Sequence, residues 1–359
     1  MLVEKAVSPD YAELRPLKPR QSAGFPVYAE LPTHLATAKD LPDATVAHTL
    51  AVAAGYAYSD ADTVSMIMAR MGLPGNHCLM VSQYVDAMFV NSTAFLIQSA
   101  DGSVVILAYR GTQPTDLISW LTDADVHPDR IALAFPGAPE GLPVHAGFYR
   151  NVRATRYEVV AALLRALNGR SVLDQNETMA PLESPMTTLY LTGHSLGGAM
   201  AALMSVMLVL EPEYADKFGD AFRASYTFGQ PMIGSPTFAA ACSANPALNA
   251  QMLRYIYRHD AVPQLPPLDS GDFAHFGREF RYDGSWPWPD TSEQPLRQMS
   301  NMLGLLQAPL AFVARQFRML RTVPFQYSLN DHGPQHYIAA LTPRGVPNEF
   351  GDAAFVPDN

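Results

Sequence analysis

The chain has 359 residues, 48% of them hydrophobic and 16% charged, with a formal net charge of −10. That length and apolar content suffice for one large domain with a substantial core. The acidic balance, without any basic patch interleaved with aromatics, argues against nucleic acid and against electrostatic docking on anionic membranes, while neutral lipids and esters stay open as ligands.

Residues 1–43 read as an irregular arm punctuated by Pro16, Pro19, Pro26, Pro32 and Pro42. The first residues lack the apolar core of an export signal, so a soluble cytoplasmic protein is the default expectation, with secretion open if a leader has been removed. No apolar run is long enough to span a membrane. Cys78 and Cys242 exclude a disulfide scaffold and are expected as unpaired thiols, a single bridge remaining open.

A helix is expected from Ala44 to about Tyr58, then a strand over Thr93–Ile97 and a turn at Asp101-Gly102. Val104–Tyr109 is a continuous apolar strand of the buried type. Phe148 to Leu167 reads as helix, Thr188–Thr192 as strand, and Ala199–Leu210 as a helix apolar nearly all round. Ala224–Phe228 and Leu253–Tyr257 read as strands, and Tyr337–Leu341 as a last helical run. Strands alternating with helices imply the α/β class, with a mostly parallel central sheet flanked by helices.

Gly193-His194-Ser195-Leu196-Gly197-Gly198 sits between one of those strands and the apolar helix. Gly-x-Ser-x-Gly alone is a weak signal, arising by chance in roughly one chain in ten of this length at ordinary glycine usage. Its placement on a strand–turn–helix is what gives it meaning. A serine at the apex of such a turn exposes its hydroxyl, and glycines on either side let neighbouring backbone pass close by. The amide of Leu196, at the start of a helix, is free to face a developing oxyanion.

A serine needs a base to take its proton. In α/β-hydrolases the acid and the histidine follow the serine in chain order. Downstream of Ser195 lie His259, His275, His332 and His336. His332, in a loop before the last helix, is the expected base, with His336 as the alternative. Asp260, directly after the strand at 253–257, is the expected acid, because sites lie at the carboxyl edge of such sheets. Asp283 is the reserve, while Asp269, Asp272 and Asp290 sit in loop-like contexts and are expected to be solvated. His194 and His145 are expected to be structural. Arg110-Gly111-Thr112 follows the strand at 104–109, where Thr112 would supply a second oxyanion donor.

Together Ala108–Thr112, Val144–Phe148, Gly193–Gly198, Tyr226–Pro231, His259–Pro263 and Asp331-His332 with Tyr337 resemble the fungal-type class 3 lipases, an α/β-hydrolase family. The resemblance covers residues 44–345 and implies a triad of Ser195, Asp260 and His332, with an oxyanion hole from Thr112 and Leu196. It also implies a lid over Asp116–Leu121. The sequence departs from the family in the arm at 1–43 and in a long stretch before the histidine. That stretch includes a helical insertion at about 290–325, with apolar stripes over Leu296–Arg321 that would form an interfacial cap or an extra packed helical pair.

The domain expected is therefore 44–359. The chemistry expected is hydrolysis of lipid carboxylic esters through an acyl-enzyme, with no metal and no cofactor. A phospholipase or an acyltransferase using the same triad, and a catalytically silent lipid-binding scaffold, stay open as alternatives.

Overall fold

Val104–Tyr109 is apolar and buried at every position, which puts it inside a sheet covered on both faces. The structure, a computed structural model, describes residues 25–85, 90–112, 128–131, 135, 141–300 and 330–346. The first half contains α1 (Leu31–Thr37), α2 (Ala44–Tyr56), α3 (Ala61–Met71), β1 (His77–Val85), β2 (Val90–Gln98), β3 (Val104–Tyr109), β4 (Pro128–Ile131), β5 (Leu142–His145) and α4 (Ala146–Leu167). The second contains β6 (Thr188–His194), α5 (Leu196–Leu210), α6 (Pro212–Phe218), β7 (Phe222–Phe228), α7 (Pro236–Ala244), α8 (Pro246–Gln251), β8 (Met252–Tyr257), β9 (Arg278–Tyr282) and α9 (Pro334–Leu341).

A 7-stranded sheet runs in the order β1-β2-β3-β6-β7-β8-β9. From β3 to β9 every pairing is parallel, while β1 and β2 join antiparallel at one edge. Alternation along β3 splits the core. Val105, Leu107 and Tyr109 face the layer of α4 and α5, and Val104, Ile106 and Ala108 face the layer of α2 and α3. Helix α5 has only apolar or small side chains apart from Ser205 and is buried from Leu196 to Leu208, as its composition requires. Each fully buried Leu, Met or Val there contributes about 1.5–3 kcal/mol. No single helix among the described residues is long and apolar enough to cross a membrane.

The arm differs from its expectation. Its prolines suggest irregular chain, yet Leu31–Thr37 is helical, because Pro32 lies in the first turn, where its missing N–H costs nothing. Leu31 and Leu35 are fully buried. The segment is tied across the sheet by Tyr190 Oη to the Leu35 carbonyl (2.9 Å), by Arg278 to the Leu41 carbonyl (2.7 Å) and by the Asp43 amide to Tyr226 Oη (3.1 Å). Asp43 also caps α2 through the Val46 amide at 2.9 Å, a contact worth about 1 kcal/mol.

The expected insertion differs at its start. Leu296 to Ser300 is not helical. The Met299 backbone bonds Gln264 and Leu268 at 2.9 Å each, and the Leu296 amide reaches Glu279 at 3.1 Å. Glu279 is itself buried beside Arg254 (3.3 Å) and Arg281 (2.5 Å), so a charged cluster fastens this stretch to β9. The rest of the insertion, from residue 301, and the expected lid Asp116–Leu121 lie outside the described residues. Cys78 and Cys242 are both free thiols.

His48 joins three segments. Its Nδ1 accepts from Tyr28 Oη (2.8 Å), and its Nε2–H meets Thr342 Oγ1 (3.1 Å). Burial pushes its pKa down to about 3, so it stays neutral in the folded protein. The unfolded chain protonates it near 6.5, so this contribution to stability is complete above that value and declines as pH falls toward the folded value. Acidification from pH 7 to pH 5 should therefore cost about 2 kcal/mol through His48, at 1.36 kcal/mol per pH unit. Urea unfolding at both pH values, in wild type and His48→Gln, checks this: the acid-induced loss should shrink in the variant, and an identical loss in both removes His48 as its source.

Candidate active site

β6 runs into Ser195, which adopts φ 59° and ψ −131°. A non-glycine residue there costs on the order of 1–3 kcal/mol and persists only where its surroundings hold it. They do so here: the Ser195 amide donates to the Phe228 carbonyl on β7 at 2.9 Å. A Cβ on Gly197 would lie 2.2 Å from the Tyr109 carbonyl oxygen and 2.9 Å from the Gly111 nitrogen, so only glycine lets the turn and the chain after β3 touch.

This packing lays Arg110-Gly111, which leads into half-buried Thr112, against the first turn of α5. The first amides of α5, Leu196 and Gly197, have no acceptor within the helix. They form the positive end of a helix dipole directly behind the serine.

The other components come from the chain just past β7 and β8 and from the C-terminal part of the chain. Asp260 follows β8 after a tight turn in which its amide donates to the Tyr257 carbonyl at 3.0 Å. Its Oδ1 accepts from the Val262 amide at 2.9 Å. Its Oδ2 accepts from His332 Nδ1 at 2.8 Å and from Tyr337 Oη at 2.5 Å. Burial, and then the Asp260 charge, hold the Tyr337 phenol well above its ordinary pKa, so it remains a donor. Gly229, at φ 60°, clears the space. A Cβ there would stand 2.8 Å from both Asp260 Oδ2 and His332 Cε1.

Ser195 and His332 are fully buried. Ser195 Oγ and His332 Nε2 are both buried without a hydrogen-bond partner among the described residues. With Nδ1–H given to Asp260, Nε2 is the imidazole's lone pair. Among the described residues the serine hydroxyl thus meets no acceptor and the base nitrogen no donor, which leaves both for proton transfer between them or for a substrate.

The other sequence candidates go elsewhere. His336 stacks on Tyr257 at 5.3 Å between ring centroids. Asp283 is exposed and accepts from the Ser285 amide at 2.8 Å. Asp290 pairs with Arg278 at 3.0 Å. His275 Nε2 bonds the Pro263 carbonyl at 2.7 Å, and His259 is exposed. His145 is buried and stacked on Phe148 at 4.2 Å. Sequence reasoning assigns no role to Tyr337, Gly229 or Tyr58. Tyr337 lies five residues after His332, one helical turn beyond the start of α9, and enters the sequence reading only as part of the histidine segment, without a role of its own. Among the described residues no three His, Cys, Asp or Glu side chains converge as a metal cage.

The class 3 lipase model matches residues 106–270, the stretch from β3 through Asp260. The triacylglycerol lipase OBL1 of Ricinus communis is 25% identical over 273 residues, 67% of this chain and 49% of that one. A lipase of Rhizomucor miehei is 27% identical over 209 residues, 57% of this chain and 50% of that one. The chain spans about half the length of these curated relatives. Among solved structures, the native propeptide complex of Rhizomucor miehei lipase aligns with 90% of this chain and 90% of its own, at 19% identity and a TM-score of 0.52. The fold is that of an α/β-hydrolase, with a mostly parallel central sheet flanked by helices.

Proposed function

We infer that this chain, which belongs to the fungal-type class 3 lipase family, cleaves carboxylic ester bonds of lipids through an acyl-enzyme on Ser195. The observation that carries this is the Asp260–His332 hydrogen bond together with His332 Nε2 and Ser195 Oγ, both buried and, among the described residues, without a hydrogen-bond partner.

His332 Nε2 takes the Ser195 proton as Oγ attacks the ester carbonyl carbon. Asp260 keeps the other proton on Nδ1 and stabilises the imidazolium that forms. The carbonyl oxygen becomes an oxyanion held by the Leu196 amide and by Thr112. Loss of one such donor typically costs about 10²–10³ in turnover. His332 then protonates the leaving alcohol. Water repeats the attack on the acyl carbon, returning Oγ and its proton.

The relatives named above are called lipases, one of them a triacylglycerol lipase. The acidic balance of this chain fits neutral acylglycerols better than anionic lipids. The test is hydrolysis of p-nitrophenyl esters from acetyl to palmitoyl, beside tributyrin and phosphatidylcholine. Turnover of the aryl esters and tributyrin is expected. Preference for phosphatidylcholine moves the assignment to a phospholipase, and a folded protein inert on all of them, and unlabelled by a fluorophosphonate, rejects it.

A further inference from the structure

His194 is the residue before the proposed nucleophile, and its side chain turns away from Ser195 into the protein. It is 2% exposed. Its Nε2 lies 2.6 Å from the backbone carbonyl oxygen of His332, and its Nδ1 lies 2.8 Å from Tyr58 Oη. Its ring packs on the His332 ring with centroids 4.4 Å apart and planes at 35°.

A carbonyl only accepts, so Nε2 must carry the proton. Neutral imidazole has one N–H, so Nδ1 must be the acceptor, and the Tyr58 hydroxyl must be the donor. Burial, reinforced by the charge His332 can carry, pushes the His194 pKa well below its ordinary value, which keeps this tautomer neutral. The direction of both bonds is therefore fixed.

The same hydroxyl bounds the other half of the site. A Cβ on Gly111 would lie 2.2 Å from Tyr58 Oη and 2.6 Å from the His194 carbonyl oxygen. Tyr58 thus fills the space where any other residue at 111 would put its side chain, one position before Thr112. It sits just past α2, the helix that also packs on α9, where a Cβ on Gly55 would meet Ile338 Cδ1 at 2.8 Å.

We propose that Tyr58 and His194 form a relay of positioning residues, Tyr58 Oη–H to His194 Nδ1 and His194 Nε2–H to the His332 carbonyl, that holds the general base and the oxyanion loop in register with Ser195. The relay rests on the acyl-enzyme reading above. It acts through geometry alone. Asp260 fixes the His332 ring from one end, and the relay fixes its backbone from the other. Neither Tyr58 nor His194 exchanges a proton with substrate. Displacements of about 1 Å in such a constellation cost on the order of 10²-fold in rate.

The test is kcat and KM on one soluble ester for Tyr58→Phe, His194→Gln, His194→Phe and the double variant Tyr58→Phe/His194→Phe. Active sites are counted by fluorophosphonate titration, so that misfolded protein does not enter kcat. Tyr58→Phe keeps the ring and removes only the donor, and it should lower kcat about 10- to 100-fold with KM within about twofold. His194→Gln, whose amide N–H can still reach the carbonyl, should retain more activity than His194→Phe. In the His194→Phe background, adding Tyr58→Phe should cost much less than it does in the wild type, since its bond to His194 is already gone. Unchanged kcat in Tyr58→Phe, a loss confined to KM or thermal stability, no rescue by Gln, or additive losses in the double variant each overturn the relay. A wild type that neither turns over ester nor titrates with fluorophosphonate overturns the acyl-enzyme reading instead.

Discussion

Ser195→Ala should reduce kcat on any ester the wild type cleaves by about 10⁴–10⁶-fold, the range expected when a serine nucleophile is removed and oxyanion binding remains. It should do so without unfolding the protein. Ser195 Oγ has no hydrogen-bond partner among the described residues, so its removal strands none there. The positive φ is no worse for alanine than for serine, since both carry a Cβ. Turnover and the thermal midpoint measured on one preparation decide the matter. Activity above about 1% of wild type would place the nucleophile elsewhere, given the rate loss expected. A collapsed midpoint would make the turn's role structural.

Asp260→Asn should be the next most damaging change, at about 10⁴-fold in kcat. The carboxylate accepts from His332 Nδ1, Tyr337 Oη and the Val262 amide. An amide N–H placed toward His332 Nδ1 would push the ring proton to Nε2, and that tautomer cannot take the serine proton. Asp283→Asn is the matched control, because Asp283 is exposed and bonded only locally to Ser285 among the described contacts. It should stay within about twofold of wild type, as surface changes usually do. If Asp283→Asn were the damaging change and Asp260→Asn the mild one, the acid would be misassigned.

The central strands were readable because burial on both faces leaves a continuous apolar run, as in Val104–Tyr109 and Thr188–Leu191. Sheet edges were harder. β1 carries His77, Ser82 and Gln83, and β9 reads Arg-Glu-Phe-Arg-Tyr. The charge at Glu279 looks exposed in the sequence, yet the side chain is buried, because Arg254 from the neighbouring strand neutralises it. Pairing across strands is invisible to periodicity. The helix α3 carries local signals of its own, Asp60 as its cap and Gly72 just past its end.

The sequence by itself determined the turn around Ser195. A strand, a tight bend and a helix follow from about twenty contiguous residues, and the glycines the bend needs are written beside the serine. It also nominated Asp260 and His332, by chain order and by position at the ends of elements. Only the tertiary structure decided what surrounds them. Tyr58, Gly111, His194, Gly229 and Tyr337 come from separate segments, and their places follow from how α2, α5 and α9 pack on the sheet. A local pattern can encode a turn, because adjacent residues share backbone. The direction of a hydrogen bond between residues 136 positions apart, such as Tyr58 and His194, exists only once the core has closed around both.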